Sequence, residues 1–242
     1  MKTRAIMALV VALGFPVTAV AYLPPAWFIV KKILERVPHK DSFIARGTAR
    51  IAGRDGAATR VILFQAPDKV RVETTSDGKT RVDVWDGARR LVRSESGAVD
   101  EASRPEIPLG VVFGTADPLA ALKARGGDAR VSMTLDRGRA TFVIGAREKG
   151  KAQLWIDRDT FTPARVVVPT APATEGGDAT GQSVELRFSD YDLTLTAGKF
   201  PRLIETFFDG ARVDSFSVES FEAGVAVPAK AFERDGLAST IK

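Results

Sequence analysis

The chain has 242 residues, 45% of them apolar and 8% aromatic, which suits one globular domain with a full core. Its net charge is +5, but Lys and Arg are interspersed with Asp and Glu, a pattern of solubility and not of a nucleic-acid surface. There is no cysteine, which excludes disulfides, cysteine-ligated zinc, iron–sulfur clusters, thiol nucleophiles and a lipid anchor on an N-terminal cysteine. The single histidine, His39, falls in the helix exit Pro38-His39-Lys40 and reads as a solvated loop residue, not as the centre of a triad or metal site.

Residues 1–21 have the form of a secretory signal peptide. Lys2 and Arg4 form the positive start, Ile6 to Phe15 the short apolar core, and Ala19-Val20-Ala21 a small-x-small cleavage site before Tyr22. The rival reading is an uncleaved anchor reaching Val30, which would have to tolerate Pro16, Pro24 and Pro25. The expectation is an exported, periplasmic chain whose residues 22–242 form a single domain.

Pro24-Pro25 opens an amphipathic helix, AWFIVKKILERV, that closes at Pro38. Trp27, Val30, Leu34 and Val37 recur at spacings of three and four with Phe28 and Ile33 beside them, and Lys31, Lys32, Glu35 and Arg36 take the other side. This predicts a helix lying on a sheet.

From Phe43 the pattern turns to strands. They are expected at Ile44–Ile51, Thr59–Gln65, Lys69–Thr75, Thr80–Trp85 and Arg89–Ser94, with a breaker at Ala66-Pro67-Asp68 and Asp-Gly turns at Asp77-Gly78 and Asp86-Gly87. After a loop with Pro105 and Pro108, Asp117-Pro118 reads as the cap and first residue of a short second helix, Leu119–Lys123. Strands resume at Arg130–Leu135, Arg139–Gly145, Ala152–Ile156, Ala164–Val168, Ser183–Phe188, Leu203–Phe208 and Arg212–Val218, with a mobile loop expected over Thr170–Gly181. About eleven strands and one long helix predict a mainly β fold, either a closed barrel or a large antiparallel sheet curled round the helix.

The inward faces of these strands alternate: Val70/Val72, Val131/Met133/Leu135, Phe142/Ile144, Leu154/Ile156 and Val184/Leu186/Phe188. One helix cannot fill so large a concavity. The sheet is then either tightly packed or leaves an apolar cavity for a ligand.

No catalytic constellation is present. Asp157/Asp159, Asp190/Asp192 and Asp83/Asp86 sit at turns or strand ends where aspartate serves the backbone. There is no phosphate-binding glycine loop, no His-Glu-x-x-His and no Gly-x-Ser-x-Gly. The chain is expected to be no enzyme and to need no cofactor or metal.

The order of elements, with Pro67-Asp68-Lys69-Val70-Arg71-Val72-Glu73, Ser76-Asp77-Gly78-Lys79-Thr80 and Trp85-Asp86, resembles the LolA/LolB-like superfamily of periplasmic lipoprotein carriers and their relatives. Leu154-Trp155-Ile156-Asp157 with Thr160 and Pro163, then Val184–Phe188, is similar to that group's central hairpin and following strand, so the resemblance spans Trp27 to Phe232. It implies an unclosed half-barrel round the N-terminal helix, with an apolar cavity for acyl chains. The cavity would be lined by Trp27, Phe28, Leu34, Phe64, Val70, Val72, Met133, Leu135, Phe142, Ile144, Leu154, Ile156, Leu186 and Phe188. The implied partners are an acylated lipoprotein or lipid, an inner-membrane donor and an outer-membrane acceptor. Two departures stand out: the carriers' arginine before the motif proline is Ala66 here, and the acceptor's lipidated cysteine is missing. Arg71 is close by, but alternation turns it away from Val70 and Val72. The alternative is an envelope protein–protein interaction or sensor module on the same scaffold with a filled core.

Overall fold

The computed structural model describes residues 23–87, 89–101, 107–170, 182–192, 199–238 and 240–241. The expected signal peptide and nearly all of the loop expected over Thr170–Gly181 lie outside the described residues.

Helix α1 (Ala26–Arg36) precedes strands β1 (Ser42–Ile51), β2 (Ala58–Gln65), β3 (Lys69–Ser76), β4 (Lys79–Asp86), β5 (Arg89–Arg93) and β6 (Val99–Glu101). Short helices α2 (Leu109–Phe113) and α3 (Pro118–Lys123) follow. The second series is β7 (Val131–Asp136), β8 (Arg139–Ile144), β9 (Gln153–Asp157), β10 (Pro163–Pro169), β11 (Ser183–Ser189), β12 (Leu203–Phe208) and β13 (Ala211–Ala223). A 3-10 turn, Arg234–Ala238, lies near the C-terminus.

All thirteen strands form one antiparallel sheet in the order β6-β5-β4-β3-β2-β1-β13-β12-β11-β10-β9-β8-β7. Two meanders therefore meet where β1 pairs with β13, and the sheet stays open, with β6 and β7 at its edges. The seam is close: a side chain on Gly47 would bring its Cβ within 1.9 Å of the Ser217 carbonyl oxygen, beside a bulge at Arg46/Gly47. Hairpins turn where predicted. Asp77-Gly78 and Asp209-Gly210 both take positive φ at the two central positions, the twist that matches the flanking strands.

The main core fills the concave side. It joins Phe43, Ala45, Phe64, Val70, Val72, Leu154, Ile156, Val166, Leu186 and Phe216 of the sheet to Ile29, Ile33, Val111, Val112, Phe113 and Leu122 of the helices. Helix α2 was not foreseen, because five residues are too few to show a helical period. It is wholly buried, and Phe113 meets Phe43, Phe188 and Phe200 at ring-centroid distances of 6.4, 5.4 and 4.9 Å. Asp117 caps α3 as read from the sequence, accepting from the Ala120 N–H at 3.0 Å.

Helix α1 is rolled relative to the expected orientation. Its buried stripe is Ala26, Ile29, Val30 and Ile33, while Trp27 is 63% exposed and Phe28 and Leu34 are half-buried. Small and β-branched residues sit close against the neighbouring elements, and the bulky indole is left outside.

A second apolar cluster lies on the convex side. After Gly224 the C-terminal segment crosses the outer faces of β1–β4, laying Val225, Val227, Ala231, Phe232, Leu237 and Ile241 over Ile44, Leu63, Val82 and Val84. Arg71 is clamped beneath it at 1% exposure. Its guanidinium pairs with Glu73 at 2.8 Å and donates to the carbonyls of Ala231 at 2.7 Å and Gly236 at 3.0 Å. Glu73 in turn accepts from the Ile241 N–H at 3.1 Å. Arg71 does face away from Val70 and Val72, and it fastens the C-terminus.

Candidate binding cavity

The three helices leave one part of the concavity open. A cavity of about 740 Å³ lies over β1–β5 and β11–β13, within the range of small-molecule sites. Its floor is apolar: Ile62, Val72, Trp85, Val184, Leu186, Ile204 and Phe216, with Ile107 and Leu109 at the start of α2 closing one wall. These side chains converge because strand alternation puts every second residue on the concave face, and paired positions such as Ile62 with Val72 keep neighbouring strands in phase.

The rim is charged and internally paired. Arg60 lies across the floor, its Nη1 3.1 Å from Asp214 Oδ2, its Nε donating to Thr74 Oγ1 at 3.2 Å and its guanidinium 6.0 Å from the Phe216 ring centre. Arg81 binds Asp83 through two bonds of 2.8 and 3.1 Å, and Arg90 reaches the same carboxylate while stacking over Trp85 at 4.9 Å. The hydrogen bonds it donates to Asp83 hold the Arg81 guanidinium above its ordinary range, so it stays charged. Arg54 bonds Glu95 at 2.7 Å and lowers its carboxyl below the usual value. An apolar trough with a salt-bridged lip can bury a hydrocarbon chain while a polar end stays at the mouth.

Of the residues predicted from sequence to line a cavity, Val72 and Leu186 line this one. Phe64, Val70, Phe142, Ile144, Leu154, Ile156 and Phe188 are buried in the packed core under the helices. Phe28 and Leu34 are half-buried on α1, and Trp27, Met133 and Leu135 face solvent. Sequence reasoning missed Ile62, Ile204 and Phe216 as lining residues: Phe216 alternates with Ser215 and Ser217, but Ile62 sits in the apolar run Val61-Ile62-Leu63, which does not mark an inward face. It missed the charged rim because arginine and aspartate in strands read as a wet face. His39 is exposed and lines neither this cavity nor a smaller one of about 440 Å³ beneath the C-terminal segment. Among the described residues, no group of three His, Cys, Asp or Glu could hold a metal ion.

The fold is that of LolA-superfamily proteins. A LolA superfamily protein from Nitrosomonas europaea superposes with a TM-score of 0.54 at 12% identity, covering 88% of this chain and 99% of that one. A Vibrio parahaemolyticus domain described as outer membrane lipoprotein-sorting gives 0.53 at 12% identity, covering 89% and 98%. A DUF1329 family protein from Desulfovibrio piger gives 0.51 at 10% identity, covering 89% and 100%. No protein-family model and no curated protein sequence matches the chain. The open half-barrel inferred from the sequence is thus shown at the level of architecture.

Proposed function

We propose that this chain is a non-enzymatic binding protein of the bacterial periplasm that holds an acyl chain of a lipid or lipoprotein in the concave cavity. The observation that carries the reading is the apolar floor of the 740 Å³ cavity, left open where the rest of the concavity is filled. Each buried CH₂ of a chain contributes about 0.8 kcal/mol, so such a trough is a sufficient binding device without a catalytic group. An outer-membrane lipoprotein carrier, with an inner-membrane donor and an outer-membrane acceptor as partners, is the finer form of the proposal. Among the described residues no helix is long and apolar enough to cross a membrane.

One observation favours the second reading, a protein–protein interaction or sensor module. Around Phe43, Phe113 and Phe200 the concavity is packed solid, as a filled scaffold would be. A titration with a fluorescent fatty acid separates the two. The proposal expects saturable binding that Ile204→Trp, which fills the trough, abolishes while the melting temperature stays within a few degrees. A folded wild-type protein that takes up no probe would support the filled scaffold instead.

A further inference from the structure

The two edges of the sheet differ in kind. Strand β6 is three residues long and ends in Asp100 and Glu101, a short acidic edge of the sort that discourages pairing. Strand β7 is twice as long and has neither proline nor bulge in its pairing to β8. Among the described residues the exposed large apolar side chains are Leu23, Trp27, Met133 and Leu135, and two of these lie on β7, at 44% and 71% exposure.

The outer edge of β7, which pairs with no strand among the described residues, has a definite hydrogen-bonding phase. The Gly145 N–H donates to the Arg130 carbonyl at 2.9 Å, so even-numbered residues of this strand bond to β8. Val131, Met133 and Leu135 therefore turn their own N–H and C=O groups outward. These are also the residues whose side chains share the concave face.

The sequence Arg130-Val131-Ser132-Met133-Thr134-Leu135-Asp136 is self-complementary when laid antiparallel on itself about Met133. Arg130 then meets Asp136 of a second copy at both ends, Val131 meets Leu135, Ser132 meets Thr134, and Met133 meets itself. The residues that bond outward fall opposite one another, giving about six main-chain hydrogen bonds across the twofold axis. The pairs Arg130 makes within its own chain, with Asp128 at 2.7 Å and Glu148 at 3.6 Å, are exposed and weak competitors.

We infer that the β7 edge is a homodimer interface, in which two copies pair antiparallel through Val131–Asp136 and continue one sheet into the other. The absence of native cysteine makes a direct test clean. Met133→Cys places two thiols opposite one another with Cα atoms about 5.5 Å apart, within disulfide reach. Val131→Cys alone leaves its two copies about 13 Å apart, four residues out of register.

The full-length gene is expressed so that the cell processes its own N-terminus, and the purified protein is followed by sedimentation velocity across the micromolar range. A dimer is expected. Met133→Pro should abolish it without unfolding, because that N–H points away from β8. Arg130→Asp and Asp136→Arg should each weaken it, and the double reversal should restore it. Under mild oxidant, Met133→Cys should give covalent dimer and Val131→Cys none. A monomer throughout the range with no Met133→Cys cross-link would overturn the inference. So would a dimer indifferent to Met133→Pro with the variant's melting curve intact.

Discussion

Arg71→Met removes a guanidinium that is 1% exposed and holds the Glu73 carboxylate and the carbonyls of Ala231 and Gly236 together, and it leaves the Glu73 carboxylate buried at 3% exposure with the Ile241 N–H as its donor. Breaking a buried ion pair from one side costs about 3–5 kcal/mol, because the surviving charge has lost its partner. The carbonyls of Ala231 and Gly236 lose their donor as well, so the C-terminal segment should loosen from the convex face. With a urea m value of about 3 kcal/mol/M, the unfolding midpoint should fall by about 1–1.7 M. The double variant Arg71→Met/Glu73→Leu should recover most of that loss, since two well-packed apolar side chains leave nothing buried and charged. Equilibrium urea unfolding of the single and double variants measures both numbers, and limited proteolysis reads the freed C-terminus. A single variant within about 1 kcal/mol of the wild type would refute the idea that this buried pair fastens the segment.

The rolled orientation of α1 predicts that Trp27→Ala changes stability by no more than about 0.5 kcal/mol while Ile29→Ala costs about 2–4 kcal/mol, a contrast that thermal melts resolve. Gly47→Ala should cost at least about 2 kcal/mol, because its Cβ would meet the Ser217 carbonyl at the seam of the two meanders, and denaturant unfolding measures it. Burial by itself would raise the carboxyl of Glu205, but the hydrogen bonds from Arg137 at 2.7 Å and Arg212 at 3.1 Å outweigh it and hold the group below its ordinary value. Its contribution to stability is therefore full above the unfolded value of about 4.3 and is lost as the pH falls through the lower folded value. Melts at pH 7 and pH 3 should differ less for Glu205→Gln than for the wild type, and an equal difference would contradict the assignment.

Much of the strand plan was legible because β alternation and turn chemistry are local signals. Val70, Val72 and Thr74 alternate with Lys69, Arg71 and Glu73, and Asp-Gly pairs mark where the chain reverses. What the sequence hid depends on contacts distant along the chain. Leu109–Phe113 is an apolar run too short to show a period, and it is a helix because the concavity of the sheet encloses it. Arg71 and Glu73 read as a wet face, yet the last residues of the chain fold back over them. Trp27 was placed inward because it shares a three-and-four spacing with Val30, Leu34 and Val37, whereas the smaller Ala26 and Ile29 approach the core more closely. A cavity was foreseen from the excess of apolar sheet as one of two outcomes, the other being tight packing. Its position was not, because which part of the concavity the helices fill is decided by packing and not by strand pattern.

The central claim is that the open part of the concavity holds an acyl chain in the cell. Native mass spectrometry of the protein purified from an envelope fraction without detergent, followed by denaturing extraction, tests it most directly. The account predicts a mass excess released as phospholipid or acylated peptide from the wild type and missing from Ile204→Trp. A wild-type protein of bare polypeptide mass that also fails to take up added fatty acid would contradict it.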